Sequence, residues 1–81
     1  MTGLKEIEDI NEIVDIKDFL VKVLVEELNI RKGPGTGFSI AGTIRDRGVY
    51  TITHTNAFGT WGKLKSGLGW ISLAKGYVKR L

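Results

Sequence analysis

The chain has no cysteine, one proline, one histidine and no long apolar run. Without cysteine there are neither disulfides nor thiolate metal sites. A single histidine, His54, rules out a histidine metal cluster. A Ser–His pair would also need a third group and an oxyanion hole, and nothing in the sequence pre-arranges them. No stretch reaches the roughly 18 apolar residues of a membrane span. The acidic N-terminus lacks the basic start and apolar centre of a signal peptide. At 81 residues the expectation is one small domain with one core. Such a chain buries roughly 60–65% of its unfolded surface, which leaves little room for a deep catalytic cleft.

What the chain does have is glycine and an uneven charge. Eleven glycines, most of them after residue 32, predict many tight turns. Residues 1–18 hold six acids and two lysines, a balance of −4; residues 19–81 hold ten Lys and Arg against three acids, a balance of +7, matching the +3 of the whole. A basic globular part behind an acidic leader suits a polyanionic partner such as a wall polymer or a nucleic acid; a merely solvated surface accounts for the charge equally well.

In residues 1–18, Leu4, Ile7, Ile10 and Ile13/Val14 recur three to four apart with acids between them. That spacing predicts an amphipathic helix that must dock on the domain or on a second chain, making it the natural surface for a homo-oligomer. The alternative is a linker. The carboxylates lie on this leader rather than in a pocket, so general acid–base chemistry is not expected.

From Asp18 the period changes to two, and residues 19–81 read as one β domain. Phe19–Val25 is a first strand, with Phe19, Val21, Val23 and Val25 on one face, and Leu28–Arg31 a second, with Leu28 and Ile30 inward. Lys32–Gly37 is a loop, since its Gly/Pro density forbids regular structure. It lacks the Gly-Lys-Ser/Thr ending of a phosphate loop. Phe38–Ile44, Val49–His54 and Tyr77–Leu81 are further extended pieces, separated by turns at 45–48, 55–59 and 74–76.

The centre of the pattern is Gly59–Leu73. Trp61, Lys63 and Lys65 fall on one side of a short strand, Gly62 and Leu64 on the other; Ser66–Gly69 supplies a turn, and Ile71 and Leu73 form the inward pair of the next strand. If Leu64 is core, Trp61 faces out. Trp70 either faces out opposite Ile71 or covers the open end of the core. Several of Tyr50, Tyr77, Phe38, Phe58 and the two tryptophans must be packing residues, since each ring buries roughly 150–250 Å².

Leu28-Asn-Ile-Arg-Lys-Gly-Pro-Gly-Thr36, Gly42-Thr-Ile44, Gly48-Val-Tyr-Thr-Ile52, Trp61-Gly-Lys-Leu64, Gly69-Trp-Ile-Ser-Leu73 and Tyr77-Val-Lys79 follow one another in an order that resembles the bacterial SH3-type (SH3b) domain. The likeness is to the C-terminal modules of clostridial and phage endolysins and N-acetylmuramoyl-L-alanine amidases. It covers about residues 19–81, with residues 54–60 longer than the family's usual approach and the leader outside its pattern. The resemblance implies a mainly β fold, a small SH3-like barrel of five to seven short antiparallel strands. It implies a non-catalytic module that binds peptidoglycan or a teichoic-type wall polymer outside the cell and targets the catalytic domain of a parent hydrolase. Neither metal nor cofactor is expected. The ligand groove it implies comprises Asn29, Arg31, Thr36, Phe38, Trp61, Lys63 and Tyr77. Two other readings compete: a basic SH3-like barrel binding nucleic acid, and an adaptor with a tyrosine-lined groove for a proline-rich peptide.

Overall fold

The computed structural model describes residues 12–81, which contain seven strands and no helix. These are β1 (Ile13–Val23), β2 (Leu28–Arg31), β3 (Ile40–Ile44), β4 (Val49–Asn56), β5 (Trp61–Leu64), β6 (Trp70–Ser72) and β7 (Val78–Arg80). All pair antiparallel in a single open sheet ordered β3-β2-β6-β5-β4-β1-β7. The strands after residue 19 fall where alternation and turn residues place them, within a residue or two.

The N-terminal boundary differs. The helix expected over residues 1–18 falls for the most part outside the described residues, but from Ile13 onward the chain is strand, not helix. Ile13, Val14 and Asp15 pair with Asn56, Thr55 and His54 of β4. Two features explain this. β-Branched Ile13, Val14 and Ile16 favour extended backbone, and Asp15 reaches His54, with Oδ1 2.8 Å from Nε2. The register shifts between Asp15 and Phe19, a bulge that separates this extension from the regular pairing of Phe19–Lys22 with Val49–Ile52.

The core collects inward residues from every strand: Val21 and Val23, Leu28 and Ile30, Ile44, Ile52, Leu64, Ile71, and Val78 form one buried cluster. Among the described residues no helix or second sheet lies over them. Complete burial of Val23, Ile52 and Ile71 therefore requires the sheet to bend over its own inner face. β4 and β5 press close at this bend. A Cβ on Gly62 would lie 2.8 Å from Ile52 Cγ2 and 3.1 Å from Leu73 Cδ2, so glycine is what lets β5 pack against the Ile52 side chain.

The turn between β3 and β4 is clasped by Asp46, whose Oδ1 accepts from the Tyr50 hydroxyl (2.7 Å) and the Gly48 amide (3.0 Å). The Tyr50 bond first, and the Gly48 bond second, hold the Asp46 carboxyl below its ordinary value, while the same carboxylate pushes the Tyr50 phenol up. A carboxyl with a lower pKa folded than unfolded stabilises the fold above the unfolded pKa and loses that contribution as pH falls through the folded one. Tyr50→Phe should therefore raise the Asp46 pKa and reduce the acid-side loss of stability. Carbon-detected titration of the Asp46 carboxyl reads the first, and thermal unfolding below pH 5 the second. An unmoved Asp46 titration would mean the phenol is not its main partner.

Candidate functional site

Six segments converge on one shallow groove of about 260 Å³. β2 supplies Asn29 and Arg31, because alternation turns Leu28 and Ile30 into the core and their neighbours out. β5 supplies Trp61, opposite Gly62 and Leu64, which are buried as parity requires. Ser72 of β6 stands in register with Trp61 and lines the same groove. Tyr77 closes one end from the turn before β7, where its amide donates to the Ala74 carbonyl (2.9 Å) and its carbonyl accepts from the Leu24 amide (2.8 Å). The link between β1 and β2 contributes Val25 and Glu27, and Thr36 enters from the long loop.

That loop is pinned to β2 by Arg31. Its guanidinium Nη1 donates to the carbonyls of Thr36 (3.3 Å) and Phe38 (3.1 Å). Lys32 and Ser39 close the loop mouth through a backbone bond of 2.9 Å. Arg31 thus has two tasks: its Nη1 holds the loop, and the residue lines the groove. Asn29 is held in place more lightly, its Oδ1 accepting from the Thr43 hydroxyl at 3.4 Å.

Of the seven residues taken from the family likeness, the structure brings Asn29, Arg31, Thr36, Trp61 and Tyr77 together and leaves Phe38 and Lys63 outside. Phe38 folds back on its own loop. A Cβ on Gly33 would sit 2.4 Å from its ring, so the aromatic face is spent on the Gly33–Gly35 backbone although the residue is 37% exposed. Lys63 lies one pleat further along β5 than Trp61, in register with Trp70 and His54 and away from the groove. Trp70 is core-like at 4% exposed. It stands in register between Arg31 of β2 and Lys63 of β5.

The residue that positions Trp61 is Asn56, at the end of β4 and 4% exposed. Its Oδ1 accepts from the backbone amides of Thr60 (2.8 Å) and Trp61 (3.0 Å), and its Nδ2 donates to the Thr60 hydroxyl (2.9 Å). The Asn56 carbonyl also accepts from Gly59, whose φ of +71° turns the loop back. Asn56 thereby satisfies the amides of Gly59, Thr60 and Trp61 and fixes where β5 begins. Nothing in the local pattern marks it, since an Asn in a Thr-Asn-Ala-Phe-Gly turn is ordinary. Ser72 was legible only through its register opposite Trp61.

Chemically the groove offers two partly exposed rings, Trp61 and the 47% exposed Tyr77, around polar Asn29, Ser72 and Arg31. Glu27 is its acid and shares an exposed contact with Arg45 (3.6 Å). His54 lies elsewhere with both ring nitrogens engaged, Nε2 with Asp15 and Nδ1 with the Thr53 hydroxyl at 2.9 Å. The arrangement is suited to stacking and hydrogen bonding on a ligand's surface. Comparison of the chain with models of known protein families, with curated proteins and with solved structures finds no match.

Proposed function

We propose that this chain is a non-catalytic wall-binding module, an SH3b-like small barrel that carries a peptidoglycan hydrolase, such as a phage endolysin or amidase, to its polymer outside the cell. The observation that carries the reading is the groove itself. Residues far apart in sequence, from Asn29 to Tyr77, meet in one shallow site in which two rings flank amide, hydroxyl and guanidinium donors. Rings held on short strands stack on sugar or peptide faces at small entropic cost. Arg31 supplies charge for a carboxylate or phosphate of the polymer. A groove of this size makes one weak contact, so the parent enzyme would gain mainly through avidity.

The test is sedimentation of the purified chain with intact Gram-positive walls and with walls stripped of teichoic acids. Trp61→Ala should weaken binding about 10- to 30-fold, the roughly 1.4–2 kcal/mol of an aromatic anchor. Survival on stripped walls assigns the ligand to peptidoglycan; loss assigns it to the anionic polymer. No retention on either wall, with salt-sensitive retention on single-stranded DNA, would replace the reading with a nucleic-acid module.

A further inference from the structure

The groove that holds Trp61 has a polarity. Two charged residues among the described ones line it, Glu27 and Arg31, and they are of opposite sign. Both belong to residues 27–31, in which Leu28 and Ile30 are buried, Glu27 and Asn29 exposed and Arg31 half-buried. Alternation therefore sets Glu27, Asn29 and Arg31 in one outward row, an acid at one end, a guanidinium at the other and an amide between. Four residues of extended chain place the end Cα atoms about 13 Å apart. Both charges keep capacity for a ligand. Arg31 gives Nη1 to the Thr36 and Phe38 carbonyls, and a guanidinium carries further N–H donors in the same plane. Glu27 Oε2 lies 3.6 Å from Arg45 Nε, with both side chains largely exposed. That contact is longer than a hydrogen bond and leaves the carboxylate able to accept one.

We infer that the groove selects a zwitterionic peptide segment, with a free ammonium group at Glu27 and a carboxylate at Arg31. The inference rests on the wall-binding reading and narrows it: the ligand is a peptide part of the polymer rather than a glycopolymer phosphate. Three extended residues span about 10 Å, so both ends of such a segment come within reach of the two side chains. Asn29 then stands midway along the row to hydrogen-bond the backbone, and Trp61 and Tyr77 supply apolar surface. A polyphosphate would gain at Arg31 and be repelled at Glu27, whereas a segment charged at both ends is matched at both. Glu27 thus sets specificity by the sign of its charge.

Trialanine is the probe, titrated into the full chain and followed by amide NMR beside N-acetyl-trialanine and trialanine amide. Shifts at Asn29, Thr36 and Ser72 are expected, with affinity about 3- to 5-fold weaker for the acetylated peptide, the size of an exposed charge pair. Glu27→Gln should lose that preference while trialanine amide remains the weaker ligand, since Arg31 is untouched. On walls stripped of teichoic acids, capping the amines with acetic anhydride should lower retention of the native chain and leave that of Glu27→Gln unchanged. Equal affinity for trialanine and its acetylated form would overturn the proposal. So would a preference that survives Glu27→Gln, or groove signals that trialanine does not move. Trp61-dependent retention that acetylation leaves intact would also overturn it, with the wall reading still standing. Amine-selective trialanine binding by a chain that no wall retains would support the role of Glu27 and remove the wall reading instead.

Discussion

Gly69→Ala should destabilise the domain by at least about 3 kcal/mol, a large share of the stability of a domain this small. Gly69 has φ +150°, and a Cβ there would lie 2.3 Å from the Arg31 carbonyl oxygen and 2.9 Å from Ile30 Cγ2. The obstacle is backbone, so no side chain can rotate away. The conformation alone costs an L-residue about 1–3 kcal/mol, and relieving the clash means moving β6 off β2. Those strands meet through the single register pair Arg31–Trp70, the seam that joins β3 and β2 to the rest of the sheet. Opening it exposes Ile30 and Trp70 and separates Arg31 from Trp61. Gly67→Ala is the matched control. Its φ is +84° but nothing lies within 4 Å of its Cβ position, so only the conformational cost remains. Urea unfolding of the two variants should give clearly different midpoints; equal midpoints would show that the approach of β6 to β2 is not tight.

The second large effect belongs to Asn56. Asn56→Ala removes the acceptor of the Thr60 and Trp61 amides and the donor to the Thr60 hydroxyl, leaving polar groups unpaired in a part-buried loop. The cost should be about 1–3 kcal/mol of stability. Asn56→Asp keeps the two-amide acceptor and should recover most of it. In a Trp70→Phe background Trp61 reports directly: its emission should shift to the red in the alanine variant as the start of β5 frays. If the groove binds wall polymer, retention on walls should fall in the alanine variant and return with aspartate, although Asn56 is not itself in the groove. Stability lost with Trp61 emission unchanged would confine Asn56 to a structural role.

The strands were legible because the information is local. Alternation in Leu28–Arg31 and Trp61–Leu64 states which side chains share a face, and Leu28, Ile30 and Leu64 are buried accordingly. The glycines at 59, 67 and 69, all with positive φ, stand at the turns that their clustering marks. Less was legible at the start of the chain. Ile13, Val14 and Ile16 serve a helical stripe or a strand, and pairing with β4 decided for strand from Ile13 onward.

By itself the sequence determined a single β domain, its turns, the inward residues of most strands and the outward face of Trp61, because backbone preference and side-chain parity are properties of neighbours in the chain. Only the tertiary structure decided that β6 inserts between β2 and β5, where Trp70 is buried rather than presented to solvent. It decided that Phe38 packs on its own loop, that Lys63 lies one pleat away from the groove, and that a buried asparagine sets the position of Trp61. These are consequences of which strands become neighbours, and the free energy that selects the pairing comes from contacts between residues remote in sequence.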